Sequence, residues 1–219
     1  MILAVYGTGG SGREVHEIAS AMDPAHERWE RIVFVDDVTD ARELYGSEVM
    51  PFEDLASRLG PQEVEFVIAV GEPSSRELLF DRVDGRGYGF ATIVHPSAFV
   101  SPSARLGRGV FVKMQSIVST EAVLEDNVFV QSDAIIGHDV RVGRHTQVSA
   151  YTHVAGHASV GERCYLGVRA SVREECQMGD DVVLAMGAVV MEKRVPSRVL
   201  AVGNPAKYVR RKAGSKVFS

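Results

Sequence analysis

From Val94 onward an aliphatic residue recurs every six positions: Val94, Val100, Leu106, Val112, Val118, Leu124, Val130, Ile136, Val142, Val148, Val154, Val160, Leu166, Val172, Met178, Leu184 and Val190. Four residues after each stands a small or β-branched residue, from Ala98, Ala104 and Val110 through to Ala188. Only Arg194 breaks that second series. Glycine often follows the aliphatic, as at Gly107, Gly137, Gly143, Gly161, Gly167 and Gly179. A helix repeats every 3.6 residues and a simple strand every 2, so neither explains a six-residue beat. A triangular solenoid does. Each hexad supplies one short strand and a corner, three hexads close a coil, and coils stack by parallel pairing at about 4.8 Å. The aliphatic points into the prism, the small residue fits near the corner, and the glycines are expected to serve the turns.

Residues 1–93 carry a different pattern. Ile2–Tyr6 reads as an apolar strand, and Val15, Ile18, Ala19 and Met22 mark one face of a helix. Ile32–Val35 and Phe66–Val70 read as further strands, and Phe52, Leu55 and Leu59 as a short helix. Ser74-Ser75-Arg76-Glu77 reads as a capping box opening another helix. Alternating strands and helices predict a small Rossmann-like parallel sheet. The expected organisation is therefore an α/β Rossmann-like domain over 1–93 followed by a parallel β-helix over 94–219.

Between the first strand and helix stands Gly7-Thr8-Gly9-Gly10-Ser11-Gly12. Gly7, Gly9 and Gly12 match the G-x-G-x-x-G spacing that brings backbone N–H groups and a helix N-terminus onto a phosphate. Asp36 and Asp37 end the second strand, where an acid meets ribose or base. About 93 residues supply one mononucleotide-binding half, so a nucleoside diphosphate fits better than a dinucleotide.

Charge is uneven. Residues 1–93 hold 18 acidic and 8 basic side chains, whereas 193–219 hold 8 basic and no acidic ones. An acidic front domain argues against nucleic acid, and the basic tail suits a phosphorylated ligand or plain solvation. No stretch reaches the ~20 apolar residues that span a bilayer. The N-terminus lacks a basic leader, and Cys164 and Cys176 sit among small apolar residues, so a cytoplasmic location is expected.

Seven histidines are present. His16 and His26 are expected at the front domain's surface, and His95 at the domain junction. Among those in the coils, His138 falls in Ile136-Gly137-His138-Asp139, at the hexad position that projects outward. A neutral imidazole suits proton removal from an attacking amine or hydroxyl near pH 7. Asp139 is placed to orient it, and Gly156 follows one coil later, stacked beside it, where its N–H can meet a developing oxyanion.

These hexads, read as aliphatic, Gly/Glu/Asp, any, any, small, any, resemble the hexapeptide-repeat acyltransferases. With the short Rossmann-like domain in front, the chain resembles the NeuD/PglD-type sugar O-/N-acetyltransferases over essentially its whole length. The resemblance, not the period, implies a left-handed coil. It implies an acetyl-CoA-dependent N-acetyltransferase acting on a nucleotide-linked 4-amino-6-deoxy sugar, with no metal. It implies a homotrimer with active sites between subunits and no membrane insertion.

Carried over, Gly9, Gly10 and Ser11 hold phosphate, Asp36 and Asp37 meet the nucleoside, and Gly71 closes the pocket. The resemblance gives His138 the role of base with Asp139 beside it, and Gln131 a contact to the acceptor sugar. Gly156, Gly203, Pro205, Ala206 and Lys207 border the acetyl-CoA site. Gln147 occupies a position where some relatives carry a second histidine. Alternatives are a sialic-acid-type O-acetyltransferase and a non-catalytic nucleotide-sugar-binding protein. A zinc carbonic anhydrase is disfavoured by histidine spacing, and a sugar-nucleotide pyrophosphorylase by the small size of the front domain.

Overall fold

The computed structural model describes residues 1–212 and 214–218. The front domain runs β1 (Ile2–Tyr6), α1 (Gly10–Met22), β2 (Arg31–Val35), β3 (Glu43–Leu44), β4 (Ser47–Met50), α2 (Phe52–Arg58), β5 (Val64–Ile68), α3 (Pro73–Asp84) and β6 (Gly89–Phe90). The sheet order is β3-β4-β2-β1-β5-β6, parallel except for the β3–β4 hairpin. The order reverses at β1, so the loops after β1 and β5 part there and leave a crevice at the strands' carboxyl ends. Gly12 holds the first turn tight: a Cβ there would lie 1.8 Å from the Gly7 carbonyl oxygen.

Two local expectations change. The capping box does not form; α3 starts two residues earlier, with Pro73 in its first turn and Glu72 as N-cap without a side-chain bond. Proline's fixed φ already suits that position. His16 is buried rather than on the surface. It stacks on Phe34 at 4.9 Å and shares a hydrogen bond with Ser47 Oγ at 2.8 Å.

From Ile93 the chain winds into a three-sided left-handed prism of two-residue strands. Up to Val189–Val190 the strands of each face pair in parallel eighteen residues apart, as in Phe111↔Phe129 and Ile117↔Ile135. The aliphatic series is buried without exception from Val112 to Val190, and the small series from Val110 to Ala188. Val94, Val100 and Leu106 are half-buried because no coil lies beneath them. The register shortens by one at the far end, where Gln177 pairs with Arg194 and Val183 with Leu200. Arg194 is exposed at that step.

The hexad glycines have a different reason from the one expected. The left-handed residue of each turn stands two places later, as at Gln115, Asp139 and His157. Gly137 is required because a Cβ there would fall 2.7 Å from the Gly156 nitrogen in the next coil.

One face of the prism carries the front domain. Its outward residues Ile93, Phe111 and Phe129 join Leu3, Val5, Val15, Trp29 and Phe34 in a shared core. Arg76 of α3 is fully buried at this junction and donates to the carbonyls of Ile68, Val70 and Asn127. Asn127 returns a bond to the Arg76 carbonyl and faces His145 Nδ1 at 3.0 Å. Burial pushes the guanidinium down to about 9, so it stays charged at neutral pH. Burial, then the nearby Arg144, Arg76 and Arg163, pushes His145 down to about 4.

Candidate active site

The crevice at the switch point is a cleft of about 720 Å³. Gly7, Gly10 and Ser11 line it on the β1 side, Asp36, Asp37 and Val38 beyond β2, and Gly71, Glu72 and Ser75 on the β5 side. Gln147 of the prism closes that last end. Gly9 is the exposed N-cap of α1, and the first intrahelical bond runs from Arg13 N to Gly9 O at 3.0 Å. The amides of Gly10 and Ser11 therefore point ahead of the helix, and no acidic side chain occupies the first turn. Such an end attracts an anion.

The two aspartates line the cleft, but their carboxylates are engaged by the protein. Asp36 accepts from Thr8 N and Oγ1 and from the amides of Val38 and Thr39. Burial raises its pKa, yet these bonds outweigh burial and hold the carboxyl below its usual range. Asp37 accepts from Phe52 N, from Tyr6 Oη and from Arg82 Nη1. Burial, then the Asp37 carboxylate, raises the Tyr6 hydroxyl well above its normal pKa. These contacts shape the loop after β2, whose Asp36, Asp37 and Val38 line the cleft.

The second constellation lies elsewhere. His138 sits in the turn after the strand Ile135–Ile136, where the two six-stranded faces meet, across the prism from the face that bears the front domain. Its ring projects outward and is 59% exposed. Nδ1 lies 2.8 Å from Asp139 Oδ2, which leaves Nε2 free. The ring lies over Gly156, where a Cβ would meet Nε2 at 2.6 Å. The sequence did not single out His157, which follows Gly156. Its Nδ1 lies 3.8 Å from the same carboxylate oxygen, and its ring meets His138 edge-on at 4.9 Å. The only sequence signal was the eighteen-residue step from Asp139.

Among the described residues, His138, Asp139 and His157 are also the group whose donor atoms come within 4.8 Å of one another, as a metal would require. All three are exposed, and Asp139 is engaged with the His138 ring.

Gln131 is half-buried at the opposite edge of the strand that leads to His138. Gly203, Pro205, Ala206 and Lys207 turn the chain back at the far end of the prism. Ala206 is buried there and donates to Val189 O at 2.8 Å, while Val189 N donates to Gly203 O at 3.0 Å. Val189 belongs to the same sheet as Ile135, three coils on, or about 14 Å along the axis. The structure thus unites the cleft residues in one place and His138, Asp139 and Gly156 in another, and the turn at Gly203 caps the sheet that carries the second group. Cys164 and Cys176 are buried free thiols, which burial pushes up to about 12 and about 11.

Known proteins share the fold. The family profile described as the PglD N-terminal domain matches residues 2–83. The chain is 32% identical to the acetyltransferase domain of PglB from Neisseria gonorrhoeae, with a TM-score of 0.88 over 95% of this chain and 99% of that one. The same domain has been solved in complex with acetyl coenzyme A (TM-score 0.87). PerB from Caulobacter crescentus, in complex with CoA and GDP-perosamine, matches at 29% identity and a TM-score of 0.85, over 95% of this chain and 97% of that one. The UDP-N-acetylbacillosamine N-acetyltransferase of Bacillus subtilis is 32% identical over 114 residues, half of this chain and half of that protein.

Proposed function

The chain belongs to the NeuD/PglD-type family of hexapeptide-repeat sugar acyltransferases, and on that premise we propose that it moves the acetyl group of acetyl-CoA onto the amino group of a nucleotide-linked 4-amino-6-deoxy sugar. The observation that carries this reading is the His138 ring, anchored through Nδ1 by Asp139 and poised with Nε2 over Gly156.

A neutral imidazole that donates Nδ1–H to Asp139 presents its Nε2 lone pair outward. The sugar amine attacks the thioester carbonyl and Nε2 takes the proton it sheds. The Gly156 N–H meets the oxygen that gains charge. The intermediate collapses with loss of the CoA thiolate, which recovers a proton from the imidazolium, so the products are an amide and free CoA. The coenzyme lies along the outside of the prism from His138 toward the turn Gly203–Lys207, with the basic residues beyond it facing its phosphates. In the cleft, the amides of Gly10 and Ser11 hold the acceptor's diphosphate, and the loop of Asp36 and Asp37 meets the nucleoside.

His138 and the cleft lie on different sides of one prism. A working site therefore takes its base from one subunit and its acceptor cleft from a neighbour. Three prisms side by side supply this three times over, with Gln131 meeting the sugar at the seam. Two findings on relatives favour nitrogen over oxygen as the acceptor atom: the curated relative is an N-acetyltransferase, and PerB was solved with an amino-sugar nucleotide.

The test is release of free CoA thiol from acetyl-CoA in the presence of UDP-, dTDP- and GDP-linked 4-amino-6-deoxy sugars and their 4-hydroxy counterparts. Turnover with one amino sugar and none with its hydroxy form is expected. Turnover only on hydroxyls, or none on any of the set, would overturn the reading.

A further inference from the structure

The segment after the last strand returns to the acceptor cleft. Arg211 ties its start to the prism, its amide donating to Arg198 O at 2.9 Å and Nη1 to Asp181 O at 3.1 Å. Six and seven residues on, the amides of Val217 and Phe218 both donate to Glu72 Oε2, at 2.7 and 3.2 Å. Glu72 is the N-cap of α3, so one carboxylate oxygen pins the returning chain to the front domain. The Phe218 ring then enters the seam between domains. It meets Tyr165 edge-on at 5.2 Å and covers Gly71, where a Cβ would lie 3.2 Å from Cε2. The same imagined Cβ is 3.8 Å from Gln147 Oε1, so Gly71, Gln147, Tyr165 and Phe218 form one patch. Half of the Phe218 surface remains exposed, toward the cleft it lines.

We propose that Phe218 is an acceptor-binding residue, forming the sugar-side wall of the cleft and packing on the C–H-rich face of the hexose, with Glu72 as the positioning residue that holds it there. This rests on the reading of the cleft as a nucleotide-sugar site. The order of groups along the cleft assigns the sugar rather than the base to this end. A nucleoside lies toward the end of β2 in a crevice of this topology, with its phosphates at the glycine loop. Val38 and Asp36 mark the first end, and Gly10 and Ser11 the middle. Whatever hangs beyond the diphosphate meets Gly71, Gln147 and Phe218. A deoxyhexose offers C–H bonds and a methyl group there. An aromatic face takes such a surface at low conformational cost, and the amide of Gln147 remains for a hydroxyl.

The test compares binding of two probes by calorimetry: the bare nucleoside diphosphate and the amino-sugar nucleotide of the base selected by the assay above. Phe218→Ala is expected to weaken the sugar nucleotide about 3–10-fold while shifting the bare diphosphate less than about twofold. The acceptor KM rises accordingly, with kcat and the acetyl-CoA KM unchanged, and Phe218→Tyr restores binding. Glu72→Ala reproduces part of the loss, and adding it to Phe218→Ala adds little. Equal weakening of both probes would put the ring on the nucleoside. Tighter binding by Phe218→Ala would make the segment a plug, and unchanged binding would remove it from the site; each overturns the proposal. A wild-type protein that binds neither probe would instead overturn the reading of the cleft itself.

Discussion

The His138 imidazole rests on Gly156, one coil further along the stack, so closely that a methyl group at 156 would reach to 2.6 Å from Nε2. The atoms that would have to yield belong to the exposed ring and not to backbone. Gly156→Ala should therefore leave the prism folded while displacing the base. We expect turnover to fall at least about tenfold, since a base must stay within hydrogen-bond reach of its proton. A melting temperature within a few degrees of wild type would accompany this. An unchanged turnover would show that the contact does not hold the ring in working position.

Removing the imidazole is the direct test of the base. His138→Ala is expected to lower kcat by roughly 10²–10⁴ with acetyl-CoA binding intact. Asp139→Asn keeps a partner for Nδ1 but loses the charge that stabilises the imidazolium, so a smaller loss is expected, about tenfold. Single-turnover kinetics separate these effects from product release.

The domain junction makes a stability prediction. Arg76→Met keeps bulk but leaves the buried carbonyls of Ile68, Val70 and Asn127 without their donor. Unsatisfied buried acceptors cost about 1–3 kcal/mol each, with partial relaxation. A loss of about 2–4 kcal/mol in denaturant unfolding is expected. Because α3 also carries Ser75 and follows Glu72 at the cleft, the acceptor KM should rise with it.

His145 sets an acid limit on the same junction. Its pKa is lowered in the fold to about 4, so the folded protein resists the proton that the unfolded chain accepts near 6.5. Below that value the unfolded state binds more protons, and stability falls as pH drops from about 6.5 toward 4. His145→Asn retains a hydrogen-bonding partner for Asn127 and removes the titration. Thermal melts between pH 7 and 4 should show a shallower decline for the variant; parallel curves would exclude His145 as the source.

The periodic part of this protein was readable residue by residue. Side chains that repeat every six positions see the same surroundings in every coil, so pattern alone tells inside from outside from Val112 to Val190. The outward projection of His138 and its stacking on Gly156 followed from the same arithmetic of coils. Local rules also placed the glycine loop between β1 and α1. They failed where two rules competed, as at α3, where proline took the first turn from the serine cap. They failed again at the hexad glycines, whose cause is the backbone of the next coil and not the turn itself.

What the chain's order could not reveal are pairings between segments of unlike period. Arg76 finds Asn127 across 51 residues, and Phe218 finds Glu72 across 146. Neither leaves a trace in local spacing, because each depends on how the front domain seats on one face of the prism. Asp36 and Asp37 support their own loop through bonds made inside the front domain, to partners as far along the chain as Thr8 and Arg82. The seating of the domain on the prism set the cleft and the His138 corner on opposite sides of a single chain. The sequence by itself determined the repeating coil and the outward place of His138 beside Gly156, since these rest on short-range sterics and burial. Only the packing of domain on prism decided which of those groups could meet.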